Sequence, residues 1–222
     1  MMRILLVSPR VAPGLLTLEA WDVLRAASRV FSAEDGPHIE AIEKAGITVT
    51  VSTERPKGED VLWIAPPGDV AWAHEVAAEL LDGDGPEVEV LLGSYDMPGA
   101  RLLDLVAVMD RLRRECPWTQ QQTHTSLAPY LAEESQEALE AIESGDLDHL
   151  REELGDVLMQ VVFHAAVSGE QPEGWDVDDV AAGITEKLIR RNPHVFGDAV
   201  ATTVEEIDAQ WNRIKEQERH QH

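Results

Sequence analysis

Two consecutive helical patterns, at 125–144 and 147–168, constrain the fold of this 222-residue chain more than any other feature. A turn at Ser144-Gly145-Asp146 separates them, and so short a connection predicts two antiparallel helices that pack side by side. Such helices pair by burying an apolar stripe against each other. The sequence therefore predicts a helical hairpin in the second half of the chain.

Acidic residues interrupt both apolar stripes. Glu134 falls in the middle of the stripe that begins at Leu127, and Glu137 lies on its edge. On the next helix, Glu153 borders the stripe and Asp156 lies one step further round. Because an unpaired buried carboxylate is costly, one interpretation is a metal ion shared by these acids. The alternative is a solvated or ion-paired helix face, since the chain has 42 acidic residues.

The ligand types favour Mg²⁺, with Mn²⁺ as the alternative, because hard divalent cations prefer oxygen ligands. A carboxylate-bridged iron site is a rival, but helical di-iron proteins use Glu-x-x-His pairs. No Glu in this chain has a His three residues later. Carboxylate-held cations commonly handle phosphate chemistry, so the pattern points to a metal-dependent enzyme that acts on a polyphosphate.

Charge and composition exclude several classes of partner. The formal charge of −24 disfavours nucleic acid polymers, which bind basic patches. A single cysteine, Cys116, excludes an internal disulfide and a cysteine-based zinc cluster. The sequence has neither a signal-peptide pattern at its start nor an apolar run of about 18 residues, so we expect a cytoplasmic protein without a membrane partner.

The pattern of predicted elements changes near residue 97. Before that point, strands and helices alternate, which predicts a small α/β domain with a parallel sheet at 1–96. The predicted strands are Ile4–Val7, Ile47–Val51, Val61–Ala65 and Val88–Leu92, and the predicted helices are Leu18–Val30, Pro37–Ala45 and Val70–Leu81. A turn is predicted at 82–86.

After residue 97 the pattern is entirely helical. The predicted helices are 100–115, 125–144, 147–168, 176–191 and 203–218, with Ser126 or Thr125 capping the second. We therefore expect an α+β protein in which an all-α domain at 97–222 follows the small α/β domain.

Cationic and aromatic residues lie on the last two predicted helices. Lys187, Arg190 and Arg191 share one helical face, and Trp211 and Lys215 are spaced i,i+4. Phosphate binding is one interpretation of the cations, and compensation of the helix dipole is the other. For Trp211, one interpretation is stacking on the base of a nucleotide, and the other is packing within the helical domain.

The acidic segments resemble the E-E-x-x-E…E-x-x-D signature of MazG-type nucleoside triphosphate pyrophosphohydrolases. Glu133-Glu134-Ser135-Gln136-Glu137 corresponds to the first part and Glu153-Leu154-Gly155-Asp156 to the second. Further segments between about 100 and 218 resemble the family in the same order. The resemblance implies an all-α fold, usually as a homodimer with intertwined helices, and cleavage of a nucleoside triphosphate to the monophosphate and pyrophosphate.

Roles for individual residues follow from that resemblance. It implies that four acids hold Mg²⁺: Glu134, Glu137, Glu153 and Asp156. Glu133 lies beside them as the candidate catalytic residue that orients or activates water. The candidate substrate contacts are Lys187, Arg190, Arg191, Trp211 and Lys215.

The first segment weakly resembles another family. Ile4–Leu18 resembles the opening of tetrapyrrole methylases, and Ala65-Pro66-Pro67-Gly68-Asp69 resembles a later loop of that family. The glycine-rich opening is degraded and the segment is short, which implies a truncated domain that no longer methylates. A methyltransferase is one rival function, and the degraded glycine-rich opening argues against it. The other rival is a non-catalytic helical dimer that binds a nucleotide or a protein, and the four clustered acids argue against it.

Overall fold

The computed structural model describes residues 1–54, 60–81 and 87–219. The chain divides into two compact units, Met1–Asp104 and Leu105–His222. The turn predicted at 82–86 lies outside the described residues. The independent folding of 1–96 and 97–222 as domains remains a prediction. The fold class is confirmed, because a parallel sheet with helices is followed by an all-helical region.

The first unit is built on a parallel five-stranded sheet, in the order β3-β2-β4-β1-β5. The strands are β1 (Met2–Leu6), β2 (Arg29–Ser32), β3 (Val49–Val51), β4 (Val61–Ile64) and β5 (Val88–Leu92). The helices between them are α1 (Leu18–Ala26), α2 (Pro37–Lys44) and α3 (Val70–Leu81).

Alternating side chains of the two inner strands build a core on each face of this sheet. Leu5 of β1 and Leu62 of β4 pack against Leu24 of α1 and Ile42 of α2. On the opposite face, β1 and β4 pack against α3 through Met2, Ile4, Val61, Trp63, Ala73 and Val76. Burial on both faces explains why these strands are nearly continuous apolar runs.

The prediction of one helix from Leu18 to Val30 is wrong at its end. The helix stops at Ala26, and Ala27 has an extended backbone with φ −65° and ψ 134°. Residues 29–32 form β2, which pairs with β3 and β4. Val30 buries its side chain in the sheet core, and this tertiary pairing outweighs any local preference for helix.

The second unit contains the helical hairpin predicted from the sequence. Its helices are α4 (Arg101–Glu115), which begins just before the division between the units, α5 (Pro117–Gln120), α6 (His124–Ser144), α7 (Leu147–Gly169), α8 (Val177–Arg191), α9 (Pro193–Phe196) and α10 (Val204–Arg219). The α6 N-cap is Thr123, rather than Thr125 or Ser126, and Ser126 closes its capping box. Gly145, at φ 76°, ends α6 in the left-handed conformation that glycine adopts most easily.

A buried arginine joins three helices at one end of the hairpin. The side chain of Arg113 on α4 is 7% exposed and forms a 2.6 Å ion pair with Glu170, at the end of α7. It also donates to the carbonyl of Thr119 on α5 and lies over the ring of Phe163 on α7. The guanidinium lowers the pKa of Glu170, so this carboxylate stays ionised at neutral pH.

The side chains of the last three helices are largely accessible to solvent in a single chain. None of the described residues of α8, α9 and α10 is buried, and several of their large apolar side chains are exposed. Within the described part of the chain, no helix is both long and apolar enough to cross a membrane.

Candidate metal and phosphate site

The α6–α7 hairpin holds the predicted acidic residues beside its apolar seam. Leu127, Ala138 and Ala141 of α6 are buried, and Glu134 lies in the same stripe at helical spacing. The side chain of Glu153 on α7 is only 12% exposed. Helix packing thus brings carboxylates from two helices towards one another and partly shields Glu134 and Glu153 from water, whereas Glu137 is exposed.

Three of the four predicted metal ligands converge. One carboxylate oxygen from each of Glu134, Glu137 and Glu153 lies within 4.8 Å of the other two. Desolvation, followed by the nearby charge of Asp156, raises the pKa of Glu134. Desolvation, followed by the charge of Glu153, raises the pKa of Glu137. Such shifts mean that the carboxylates repel one another without a compensating positive charge.

The other two acids of the signature stand at the margin of this cluster. Asp156 lies outside the set of three converging oxygens, although its charge acts directly on Glu134. Glu133 is exposed, and its charge contributes to the raised pKa of both Glu134 and Glu137. Metal binding by Asp156 and water activation by Glu133 remain predictions.

His149 contacts the cluster and was not identified from the sequence. Its Nε2 lies 2.9 Å from Oε1 of Glu153, one helical turn further along α7. The i,i+4 spacing of the two residues was the available signal. In a chain with this many acids, that spacing alone did not distinguish His149 from other exposed side chains.

The donor set fits a hard divalent cation. All the converging atoms are carboxylate oxygens, which Mg²⁺ and Mn²⁺ prefer. Opposite ligands on an octahedral Mg²⁺ are about 4.2 Å apart, so small side-chain rotations would bring these oxygens into range. A cation between them would compensate both the desolvation and the mutual repulsion that raise the two pKa values.

The predicted substrate contacts lie on α8 and α10, and three of them contact the other helix. Arg190 and Arg191 of α8 both donate to Glu218 of α10, with Arg190 Nε 2.7 Å from Oε1 and Arg191 Nη2 2.6 Å from Oε2. The guanidinium of Arg191 lies 5.3 Å from the ring centroid of Trp211. Lys187 and Lys215 are exposed, and within the described residues they form no ion pair or hydrogen bond. Glu218, like His149, was missed by the sequence reading.

A separate charged network occupies the loop after β1. The side chain of Arg10 is 9% exposed and forms ion pairs of 2.7 Å with Asp96 and Asp104. Ser8 donates to the same Asp96. These carboxylates compensate the charge of Arg10 within the first unit. The resemblance of this unit to tetrapyrrole methylases remains a prediction.

The family comparison matches part of the helical unit. Residues 122–196 match the MazG nucleotide pyrophosphohydrolase domain. That range contains the acidic cluster and the cations of α8, whereas Trp211, Lys215 and Glu218 lie beyond it.

Two relatives match over long stretches. An uncharacterized 26.1 kDa protein in the blaB 3′ region of Streptomyces cacaoi is 53% identical over 139 residues, which are 62% of this chain and 57% of that protein. A nucleoside triphosphate pyrophosphohydrolase of Mycolicibacterium smegmatis is 40% identical over 192 residues, which are 82% of this chain and 58% of that protein. The chain thus spans less than two thirds of the length of either relative.

Among solved structures, a MazG-related protein from Thermotoga maritima is similar to this chain. It is 31% identical with a TM-score of 0.45, and the match covers 51% of this chain and 98% of that one. The family match itself coincides with the acidic hairpin described above. Residues 122–196 of this chain are therefore a MazG nucleotide pyrophosphohydrolase domain.

Proposed function

We propose that this protein is a divalent-metal-dependent nucleoside triphosphate pyrophosphohydrolase. It hydrolyses a nucleoside triphosphate to the monophosphate and pyrophosphate, with Mg²⁺ or Mn²⁺ as cofactor, and acts on nucleotide pools in the cytoplasm. The observation that carries the proposal is the convergence of three partly desolvated carboxylates on the hairpin of a MazG domain. Relatives named nucleoside triphosphate pyrophosphohydrolase support the same activity.

The acidic cluster supplies the cation site of the proposed enzyme. Glu134, Glu137 and Glu153 would hold the cation, and Asp156 would complete its surroundings from the next turn of α7. A bound divalent cation lowers the pKa of water and neutralises charge that develops on a leaving phosphate. His149 orients Glu153 by contacting one of its oxygens. This leaves the other oxygen of Glu153 available to the cation.

The reaction balances with water as the only co-reactant. The oxygen of water forms a bond to the α-phosphorus, and the bond between that phosphorus and the bridging oxygen breaks. Pyrophosphate leaves, and the proton lost by water passes to a base. Glu133 is the proposed base, because it is exposed and lies beside the acidic cluster. Lys187, Arg190, Arg191 and Lys215 would contact the phosphates, and Trp211 would contact the nucleoside.

A homodimer is part of the proposal. On α8, Ile184, Leu188 and Ile189 are each about 45% exposed, and the adjoining Phe196 is 60% exposed. Leu139 and Ile142 of α6 and Leu154 and Leu158 of α7 are also exposed on the hairpin. Exposed large apolar side chains in this number, on helices that pack together, are typical of an interface. A second copy of the chain that packs on these helices would cover it.

Product analysis tests the proposed reaction. Purified protein is incubated with separate ribonucleoside and deoxyribonucleoside triphosphates, with Mg²⁺ or with chelator, in water enriched in ¹⁸O. The expected products are monophosphate that carries the label and unlabelled pyrophosphate, formed only with metal. Light scattering of the same preparation should give the mass of two chains. Diphosphate with phosphate would contradict the bond assignment, and bound but intact nucleotide would favour the non-catalytic dimer.

Deleting residues 1–96 is expected to leave hydrolysis largely unchanged. Every residue assigned to the site lies after residue 132, within the helical unit. We expect kcat/KM of the 97–222 fragment to stay within about threefold of the full chain, less than 1 kcal/mol in the activation free energy. A soluble, helical fragment without activity would show that the first unit contributes to the site or to the dimer.

A further inference from the structure

Glu218 is the one acidic residue that contacts both predicted phosphate-binding arginines in the described part of the chain. It lies on α10 with Trp211 and Lys215, at helical positions i, i+4 and i+7, so the three residues share one face. That face meets the face of α8 that presents Arg190 and Arg191. The carboxylate of Glu218 therefore joins the two helices that carry all the predicted substrate contacts.

The hydrogen bonds leave most of the arginine donors available. Arg190 uses only its Nε to reach Glu218, whereas Arg191 uses its Nε at 3.1 Å and its Nη2 at 2.6 Å. A guanidinium has five N–H donors in a fixed plane. Each arginine thus keeps at least three donors, and Nη1 of both is unused within the described residues.

Burial restricts the Arg191–Glu218 pair, whereas the side chain of Arg190 is 52% exposed. The side chain of Arg191 is 14% exposed and that of Glu218 is 20% exposed, while the Trp211 ring lies against the Arg191 guanidinium. Hydrogen bonds, first from Arg191 and then from Arg190, lower the pKa of Glu218 to about 2. The carboxylate is therefore ionised throughout the neutral range. It also separates two adjacent positive charges that would otherwise repel each other.

We propose that Glu218 is a positioning residue for the triphosphate, holding Arg190 and Arg191 with their free N–H groups available to phosphate oxygens. The proposal rests on the proposed function for the identity of the substrate. Its physical basis is preorganisation, since a long arginine side chain that is already ordered loses less entropy when it binds. The charge of Glu186 also acts on Arg190, but Lys187 and Lys215 form no ion pair within the described residues, so uncompensated positive charge remains available to a polyphosphate.

Steady-state kinetics of Glu218→Ala and Glu218→Gln test this role. Without the carboxylate, the arginines lose their fixed orientation, so Glu218→Ala should raise KM for the triphosphate about tenfold and change kcat much less. The glutamine amide oxygen still accepts hydrogen bonds, so Glu218→Gln should restore part of the loss. Glu216→Gln, on an exposed side chain of the same helix, is the control and should behave as wild type.

A double-mutant cycle separates positioning from general packing. The effect of Glu218→Ala should shrink in an Arg191→Ala background, because the group it positions is then missing. An effect that is undiminished in that background would overturn the proposal. A fall in KM for Glu218→Ala would also overturn it, since Glu218 would then compete with the substrate for the arginines.

Binding of inorganic tripolyphosphate gives a readout that does not depend on turnover. Calorimetry in metal-free buffer should show binding to the full-length wild-type protein about tenfold tighter than to Glu218→Ala. Equal affinities would overturn the positioning role whether or not nucleotides are hydrolysed. A difference in affinity without hydrolysis of any triphosphate would instead contradict the proposed function and keep the positioning role.

Discussion

Replacing Glu134 with glutamine is expected to reduce kcat at least about a hundredfold, roughly 2.7 kcal/mol in the activation free energy. Glu134 contributes an oxygen to the acidic cluster, and the neutral amide of glutamine is a far weaker ligand for a hard cation. The side chain keeps its size, so the packing of α6 against α7 should not change. Turnover is measured at saturating nucleotide and metal, so that weaker binding is not read as slower chemistry.

The thermal stability of Glu134→Gln without metal gives a second test of the metal role. Because desolvation and neighbouring carboxylates raise the pKa of Glu134, its charge destabilises the metal-free fold. Glu134→Gln should therefore unfold at the same or a higher temperature than wild type in chelator. Glu143→Gln, on an exposed position of the same helix, is the control for both measurements. A Glu134→Gln variant with more than a tenth of wild-type kcat would contradict the metal role.

The helical hairpin could be predicted from local signals because its ends are set by short-range chemistry. The α7 N-cap, Asp146, accepts hydrogen bonds from the backbone of the first turn, and Gly145 supplies the left-handed residue before it. Apolar periodicity then fixed which faces of the helices pack together. The same periodicity places Glu134, an acid, within a buried apolar stripe. The sequence could therefore predict most of the acidic cluster.

The remaining features depend on tertiary contacts that no local pattern records. Residues 29–32 become a strand only because β3 and β4 lie on either side of them. Glu218 resembles any other exposed acid in an acidic sequence until α10 packs against α8. The α5 and α9 helices are four residues each, too short to show helical periodicity.

Divalent metal is expected to stabilise the helical unit as well as permit catalysis. A ligand that binds only the native state adds RT ln(1 + [L]/Kd) to the free energy of unfolding, about 2.7 kcal/mol at a hundredfold excess over Kd. For a chain of this size, that corresponds to a rise in Tm of about 5–10 °C. Thermal unfolding followed by helical circular dichroism, with Mg²⁺ or Mn²⁺ and then with excess chelator, measures the rise and its reversal.

The stability of the metal-free protein should decrease as pH rises above about 4.5. The pKa values of Glu134 and Glu137 are raised above their ordinary value of 4.5, so the folded state holds more protons than the unfolded state just above that pH. Stability should fall as pH rises from 4.5 through the raised pKa values, and then level off. Saturating metal should flatten this part of the profile, because the cation replaces the protons as the compensating charge.

The samples with and without divalent metal must have the same ionic strength, adjusted with monovalent salt. Screening alone would otherwise stabilise the folded state of a chain of charge −24. Glu153→Gln removes one converging carboxylate and should lose most of the metal-specific rise in Tm. Glu143→Gln removes the same amount of charge from an exposed position and should keep the full rise. If the wild type, Glu153→Gln and Glu143→Gln all showed the same rise in Tm with Mg²⁺, the effect would be general screening. The acids of α6 and α7 would then not form one metal site.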